Sequence, residues 1–303
     1  MKTFSILITT KNRIEALKIT LQKIHHLIDR PDVECIICND GSTDETSKYI
    51  KEFYPNIQLI EHTISKGLIA SRNKLLNLTK ANYAISLDDD AHIVSDEPLK
   101  IIESFFQNNP KCGVLACRIF WGLILPNDWC INENETKVRS FVGCGHVWNM
   151  KAWHEIPNYP AWFVFYGEED FAAFQLFKNG WEVHYVPEIL VHHRVNVKAR
   201  KKDKDYQLRL RRSLRSGWYL YLLFYPLQLI PKKLVYSLLM QIKLKVFKGD
   251  FKALLAIIQA LFDVIWNIPK LYKNANRLTM IEFEQFMKLN ETKLYWEPNE
   301  NEN

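Results

Sequence analysis

The sequence has no apolar run long enough to cross a bilayer. Its most apolar stretches, Trp218 to Ile230 and Leu254 to Ile268, are interrupted by Pro226 and Asp263, and each falls short of the roughly 20 residues a spanning helix needs. No spanning segment is expected. Nor does the chain open on a basic region, an apolar core and a small-residue cleavage site; Met1 to Thr10 reads straight into a strand, so export through a leader is not expected. The six cysteines, Cys35, Cys38, Cys112, Cys117, Cys130 and Cys144, are scattered through 303 residues, which points to reduced thiols and a cytoplasmic setting. Cys35 and Cys38 form a C-x-x-C pair, but residues three apart in a strand face opposite sides, and a shared metal or redox role is not expected. There is no large charge excess either: the net charge of +6 suggests anionic partners without singling out nucleic acid. No internal repeat occurs, and only the terminal PNENEN has the composition of a disordered tail, placed at 297–303.

What is present is an alternation of short β-branched runs with longer helical patterns. TFSILIT, VECIIC, IQLIE and YAISLD read as strands, and Arg13 to Leu27, Asp44 to Phe53 and Leu68 to Leu78 as the helices between them. That order implies βαβ units, an α/β fold with a central, mostly parallel sheet and helices on both faces. Ligands of such sheets sit at the carboxyl ends of the strands. The informative residues do fall there: Thr9 and Thr10, Asp40, the stretch His62 to Lys66, and Asp88 to Asp90. A helix over Pro98 to Phe106, a strand over Gly113 to Phe120, a helix over Glu169 to Asn179 stopped by Gly180, and two β-like segments, WEVHYV and EILVHH, follow. Trp121 to Tyr166 takes no assignment.

Three consecutive aspartates at the end of an apolar strand repel one another, and each raises its neighbours' pKa. A divalent cation relieves that cost. Asp88 and Asp90 share a side if the strand continues and can reach one metal, whereas Asp89 points elsewhere. Hard oxygen ligands suit Mg²⁺ or Mn²⁺, which also bind phosphate oxygens. A solvated turn capping the next helix explains the run about equally well. Asp40 in NDGSTDET tips the balance: Gly41 permits a tight turn and Asp44 a helix cap, but neither explains a second acid on the same side of the sheet.

Taken together, ITTKNR, NDGSTDET, SKGLIASRN, LDDD and YGEED, in that order across Thr3 to Arg194, resemble a family-2 glycosyltransferase of the GT-A type, an inverting enzyme close to the rhamnosyl- and galactofuranosyl-transferase subgroup. The resemblance implies a Rossmann-like nucleotide-diphospho-sugar fold over 1–195, with a nucleotide-binding half at 1–97 and an acceptor-side half at 98–195. It implies that Thr9, Thr10, Arg13 and Asp40, with Gly41, hold the nucleoside of a UDP- or dTDP-sugar, Asp40 accepting from the base N–H. Gly67, Arg72 and Asn73 resemble the segment over the base and diphosphate, with Lys66 assisting, and Arg72 has the bidentate fork that phosphate needs. Asp89 falls to the nucleotide-sugar side. Asp88 and Asp90 are the implied metal ligands, with His193, or His192 next to it, as the third. The implied base is Glu169, with Asp170 as its rival; the commoner family pattern has Asp where Glu169 stands. Trp148 and Trp153, in VGCGHVWNMKAWHEI, offer faces for stacking on sugars or for the core.

Beyond Arg194 the chain turns basic, and 196–296 is expected to form amphipathic helices. Lysines and arginines beside Trp, Tyr and Leu over 200–270 suit an anionic membrane surface, at the inner face of the membrane, and packing against the catalytic domain or another subunit is the alternative. The acceptor is expected to be a glycan or a lipid-linked glycan of cell-surface polysaccharide. A nucleotidyltransferase would need a Gly- and Lys/Arg-rich loop after the first strand, which ITTKNR lacks. A non-catalytic carbohydrate- or anion-binding protein using the basic tail is a further alternative, and the carboxylates at the strand ends argue against nucleic acid on that face.

Overall fold

The computed structural model describes residues 2–125, 133–196 and 205–292. Cys130 and the expected tail at 297–303 lie outside them, as does 197–204 of the basic stretch. Nine strands form one sheet: β1 Phe4–Thr10, β2 Val33–Asp40, β3 Gln58–His62, β4 Tyr83–Asp88, β5 Ala91–Ile93, β6 Cys112–Trp121, β7 Thr136–Lys137, β8 Gly145–Asn149 and β9 Glu182–His193, in the order β3-β2-β1-β4-β8-β6-β9-β5, with β7 paired to β9. The first four run parallel to one another, β8 is antiparallel to β4 and β6, and β9 is parallel to β6.

Both faces of the sheet are covered. On one lie α1 Ile14–Ile28, α2 Thr46–Phe53 and α4 Pro98–Asn108, whose Leu17, Leu21, Ile50, Ile102 and Phe106 meet Ile6, Ile8 and Ile37. The other carries α3 Leu68–Leu78, α5 Met150–Glu155 and α6 Glu168–Lys178. Cys35 belongs to the first core and Cys38 to the second, so the C-x-x-C pair is split by the sheet as strand periodicity requires.

One expectation is corrected here, and one open alternative is decided. The segments WEVHYV and EILVHH form one strand, β9. Its register jumps from Cys117↔Val186 to Arg118↔Leu190, and Pro187 sits in the bulge between them, where a missing N–H costs no ladder bond. Trp148 and Trp153 are fully buried, their indole N–H groups donating to Tyr159 Oη (3.0 Å) and Asn77 Oδ1 (2.9 Å), so neither offers a face to a sugar.

The helices past residue 196 are α7 Tyr206–Phe224, α8 Ile230–Leu244, α9 Phe251–Trp266, α10 Ile268–Lys273 and α11 Met280–Lys288. They do two different things. Tyr219, Leu223 and Phe224 of α7 and Phe283 and Phe286 of α11 complete the core under α6, whereas α8 and α9 pack on the other side of α7 through Leu214, Trp218, Ile257 and Ala260.

Candidate active site

Successive parallel strands deliver their carboxyl ends to one edge of the sheet. The loop after β1 is tied to the loop after β2: Asn12 N donates to Ser42 Oγ (2.9 Å), and Asn12 Oδ1 accepts from Thr43 N (2.7 Å). Asp44 accepts from Thr46 N, as a cap would, and also from Ile14 N at the start of α1. Asp40, nearly fully buried at the end of β2, accepts four bonds, from His62 Nδ1 and Lys66 N at Oδ1 and from Ser65 Oγ and Gly67 N at Oδ2, all at 2.6–2.9 Å. Burial alone would raise its pKa, but these donors hold it well below the ordinary carboxylate range. A carboxylate has about four lone-pair sites, and all are filled. Asp40 therefore anchors the 62–67 loop and presents no free acceptor to a base. Gly41, at φ +72°, lets that loop approach, since a Cβ there would lie 2.7 Å from Ser65 N. His62, which the strand-end rule places here without a role, is one of the four donors that fix Asp40.

The acidic run caps nothing; the next helix, α4, begins at Pro98. Asp89 is buried, accepts from Thr10 Oγ1 (2.8 Å) and pairs with Arg13 Nη1 (3.0 Å). Burial pushes its pKa up to about 7 against the pull of Arg13. Thr9 is buried one residue earlier. Asp90 pairs with Arg13 Nη2 (2.5 Å) and with His193 Nε2 (3.1 Å); burial would raise its pKa, but His193 and Arg13 together bring it well below the usual value. Asp88, Asp90 and His193 each offer one ligand atom, all within 4.8 Å of one another. An octahedral cation with bonds of about 2.1 Å holds adjacent ligands roughly 3 Å apart, which the Asp90–His193 spacing matches. His193 Nδ1 is buried without a hydrogen-bond partner and its ring stacks on Trp121. Two carboxylates and one imidazole suit Mn²⁺ or Mg²⁺. His192 faces elsewhere and meets the Gly122 carbonyl at 2.8 Å.

Beside this triad lies a cleft of about 510 Å³. Arg72, on α3 and almost fully buried, spans it: Nη1 pairs with Glu168 (2.9 Å) and Glu169 (3.4 Å), and Nη2 with Asp88 (2.7 Å) and the Gly143 carbonyl (2.8 Å). Both terminal nitrogens are thus committed, and Arg72 does not aim a free fork at a diphosphate. Asn73 likewise donates to the Tyr159 carbonyl (2.8 Å) rather than into the cleft, leaving its Oδ1 buried without a partner. Besides Arg72, the cleft is lined by Arg209 and Arg212 of α7, with Arg209 paired to Asp205. Sequence reasoning assigned both to the basic tail.

One guanidinium faces three carboxylates here. Burial, together with neighbouring Glu168, pushes the Glu169 pKa up to about 8 despite Arg72, and burial raises Glu168 as well. Asp170, the next residue, is exposed on the cleft wall. The loop that presents these acids is strained: Val164 and Tyr166 both have φ +69°, a conformation costing about 1–3 kcal/mol each. Helix α7 holds it, with Arg215 donating to the Phe163 carbonyl and Ser216 Oγ to the Phe165 carbonyl. Opposite, Gly143 leaves room for the acids; a Cβ there would stand 1.9 Å from Glu169 Oε1 and 2.9 Å from Arg72 Nη1. Gly143→Ala should lower transfer roughly tenfold or more and destabilise the fold by about 1–3 kcal/mol. Turnover assays with thermal melts check it, and wild-type values in both would show that the carboxylate is not seated there.

The family model for glycosyl transferase family 2 matches residues 5–154. The poly-β-1,6-N-acetyl-D-glucosamine synthase of Staphylococcus epidermidis is 33% identical over 114 residues, 37% of this chain and 27% of the relative, so the chain spans only about a quarter of that protein's length. GalNAc-T7 with UDP, GalNAc and Mn²⁺ superposes with a TM-score of 0.63 at 12% identity, covering 90% of this chain and 58% of that one. The mannosyltransferase PcManGT from Pyrobaculum calidifontis, in complex with GDP-Man and Mn²⁺, gives 0.56 at 12% identity, covering 94% and 78%. These likenesses establish the GT-A sheet with its helices on both faces, and residues 5–154 of this chain form a glycosyl transferase family 2 domain.

Proposed function

We propose that this chain transfers a sugar, with inversion, from a UDP- or dTDP-sugar to a hydroxyl of a glycan or lipid-linked acceptor in the synthesis of cell-surface polysaccharide. The observation that carries the reading is the convergence of Asp88, Asp90 and His193 within 4.8 Å, with Arg72 linking Asp88 to Glu168 and Glu169 across one cleft. The bound Mn²⁺ or Mg²⁺ would neutralise charge on the departing diphosphate. Asp90 and His193 would hold it, and Asp88 would be fixed for the same task by Arg72. Glu169 is suited to take the acceptor hydroxyl's proton, because a pKa of about 8 makes it a stronger base than an ordinary carboxylate. The polymer-building relative and the Mn²⁺-bearing neighbours support the same reading, though the latter hold UDP in one case and GDP-Man in the other.

Thermal melts with UDP, dTDP and GDP, each with and without Mn²⁺, test it. UDP or dTDP should raise the melting temperature only with the cation. A shift with GDP alone would move the donor base, and no shift with any nucleotide would refute donor binding. A donor hydrolysed or transferred with retained anomeric configuration, read by proton NMR, would refute the inverting assignment.

A further inference from the structure

Helix α9 has two unlike sides. Ala253, Ala256, Ile257 and Ala260 are buried against α7, and Val264 packs beside them. The opposite side is a row of large apolar residues facing solvent: Phe251, Leu255, Ile258, Phe262 and Ile265, each between 41% and 76% exposed, ending at Trp266 at 86%. Helix α8 repeats the arrangement. Leu234, Leu238 and Ile242 pack inward, while Val235, Tyr236 and Leu239 are exposed. Phe247, between the two helices, is exposed as well. Scattered surface apolar residues need no explanation, but a row continued over two helices marks a contact surface.

Charge decides what covers it. Residues 230–273 hold eight lysines and two aspartates. Both aspartates are engaged inside the helical layer: Asp250 accepts from Tyr206 Oη (2.7 Å) and from Ala253 N, and Asp263 takes both arms of Arg211 (2.7 and 2.6 Å). Lys232, Lys243, Lys248, Lys252 and Lys270 are exposed, so the rim of the apolar row is of one sign. A second copy meeting this face would bring like charges together. An acidic surface with an apolar interior satisfies both the rim and the row. No helix is long and apolar enough to cross a membrane among the described residues.

We infer that the outer faces of α8 and α9 form a docking surface for an anionic lipid bilayer, with the apolar row buried at the headgroup boundary and the lysines at the phosphates. The surface is distinct from the cleft and stands whatever the donor. Its position on α7 is nonetheless informative: α7 carries Arg209 and Arg212 at the cleft and packs α9 on its other side. A bilayer seated there lies against helices packed directly on the one that walls the site.

Flotation of the full chain with vesicles tests this, comparing phosphatidylcholine alone with phosphatidylcholine containing about one quarter phosphatidylglycerol. Binding should occur to the anionic vesicles and blue-shift the emission of Trp266, with Trp266→Phe identifying its share of the signal. Combined replacement of Phe251, Phe262 and Ile265 by Ser should weaken binding roughly tenfold or more, while circular dichroism and nucleotide binding stay at wild-type values because these side chains face solvent outside the helical core. Lys248→Glu with Lys252→Glu should weaken it too, most at low salt. Absence of binding to anionic vesicles, or binding indifferent to the triple replacement, overturns the inference. So does a concentration-dependent dimer in light scattering that the same replacement dissolves, since the face would then belong to a second copy.

Discussion

An Asp90→Asn protein should bind a nucleoside diphosphate no better with Mn²⁺ than without it, and transfer by it should fall about 10²–10³-fold, the equivalent of losing several kcal/mol of charge stabilisation. Asp90 is the centre of the acidic run in a way its neighbours are not. One oxygen meets His193 and the other meets Arg13, so it joins the two ends of the site, and its ion pairs keep it ionised despite burial. An amide retains the shape but supplies neither the charge nor the full acceptor capacity that a hard cation needs. Asp89→Asn is the matched control. With its pKa pushed up to about 7 and its oxygens held by Thr10 and Arg13, Asp89 carries less negative charge at neutral pH, and its loss should leave the Mn²⁺ dependence in place. Titration calorimetry with UDP and Mn²⁺ separates the two. Equal loss of metal dependence in both variants would show that the run acts as a diffuse acidic patch rather than a site.

Strands β1 to β4 and helices α1 to α3 were legible because local signals agree there, whereas β5, three residues long, shows no period of its own. The expected bounds Leu68 to Leu78 and Tyr83 to Asp88 are those observed, where period, flanking glycine and β-branched content all point the same way. The stretch Trp121 to Tyr166 was not legible. It holds β7 of two residues, β8 of five and α5 of six, elements too short to show a period and set by what they pair with: β8 is wedged antiparallel between β4 and β6. Gly143, which determines where Glu169 sits, lies in that stretch, and nothing local distinguishes it from an ordinary turn glycine.

At the site, residue types foretold position better than partners. Asp40, Asp88, Asp90, Glu169 and His193 stand at or beside strand or helix ends on one edge of the sheet, as the strand-end rule predicts, and Arg72 reaches them from one turn inside α3. What each touches could not be read from spacing. Asp40 fills its lone pairs with the 62–67 loop, and Arg72 binds acids from both ends of the cleft; each pairing spans at least sixteen residues of sequence. The basic stretch after Arg194 reads as a uniform tail, yet α7 directs Arg209 and Arg212 to the cleft and Arg215 to the strained loop. A helix carrying arginines toward a site and one carrying lysines toward solvent have the same composition; only packing tells them apart.

That packing sets up the second large effect: Glu169→Gln should lose transfer by about 10²–10⁴-fold while making the protein more stable in mild alkali. Glu169 shares one guanidinium with Asp88 and Glu168, so its ionised form sits among like charges in a buried setting, and its pKa rises from the ordinary 4.5 to about 8. The sign follows from linkage: the folded state holds this proton more tightly than the unfolded chain, so the stabilisation is complete below pH about 4.5 and is lost as pH rises through about 8. Glutamine removes the titrating charge and with it that loss. At pH near 9 the variant should melt above the wild type, by about 2–4 °C for each kcal/mol recovered, and near pH 4 the two should converge. The wild-type rate should climb with pH toward a plateau above about 8, as the ionised base becomes available, and the residual rate of the variant should lack that limb. Asp170→Asn should keep both the limb and nearly all of the rate, because the Asp170 side chain is exposed and outside the Arg72 cluster. An active Glu169→Gln with a dead Asp170→Asn would transfer the role of base to Asp170. An inactive Glu169→Gln that melts no higher than wild type at pH 9 would mean that Glu169 ionises without strain, as it would if a bound cation or acceptor already balanced the cluster.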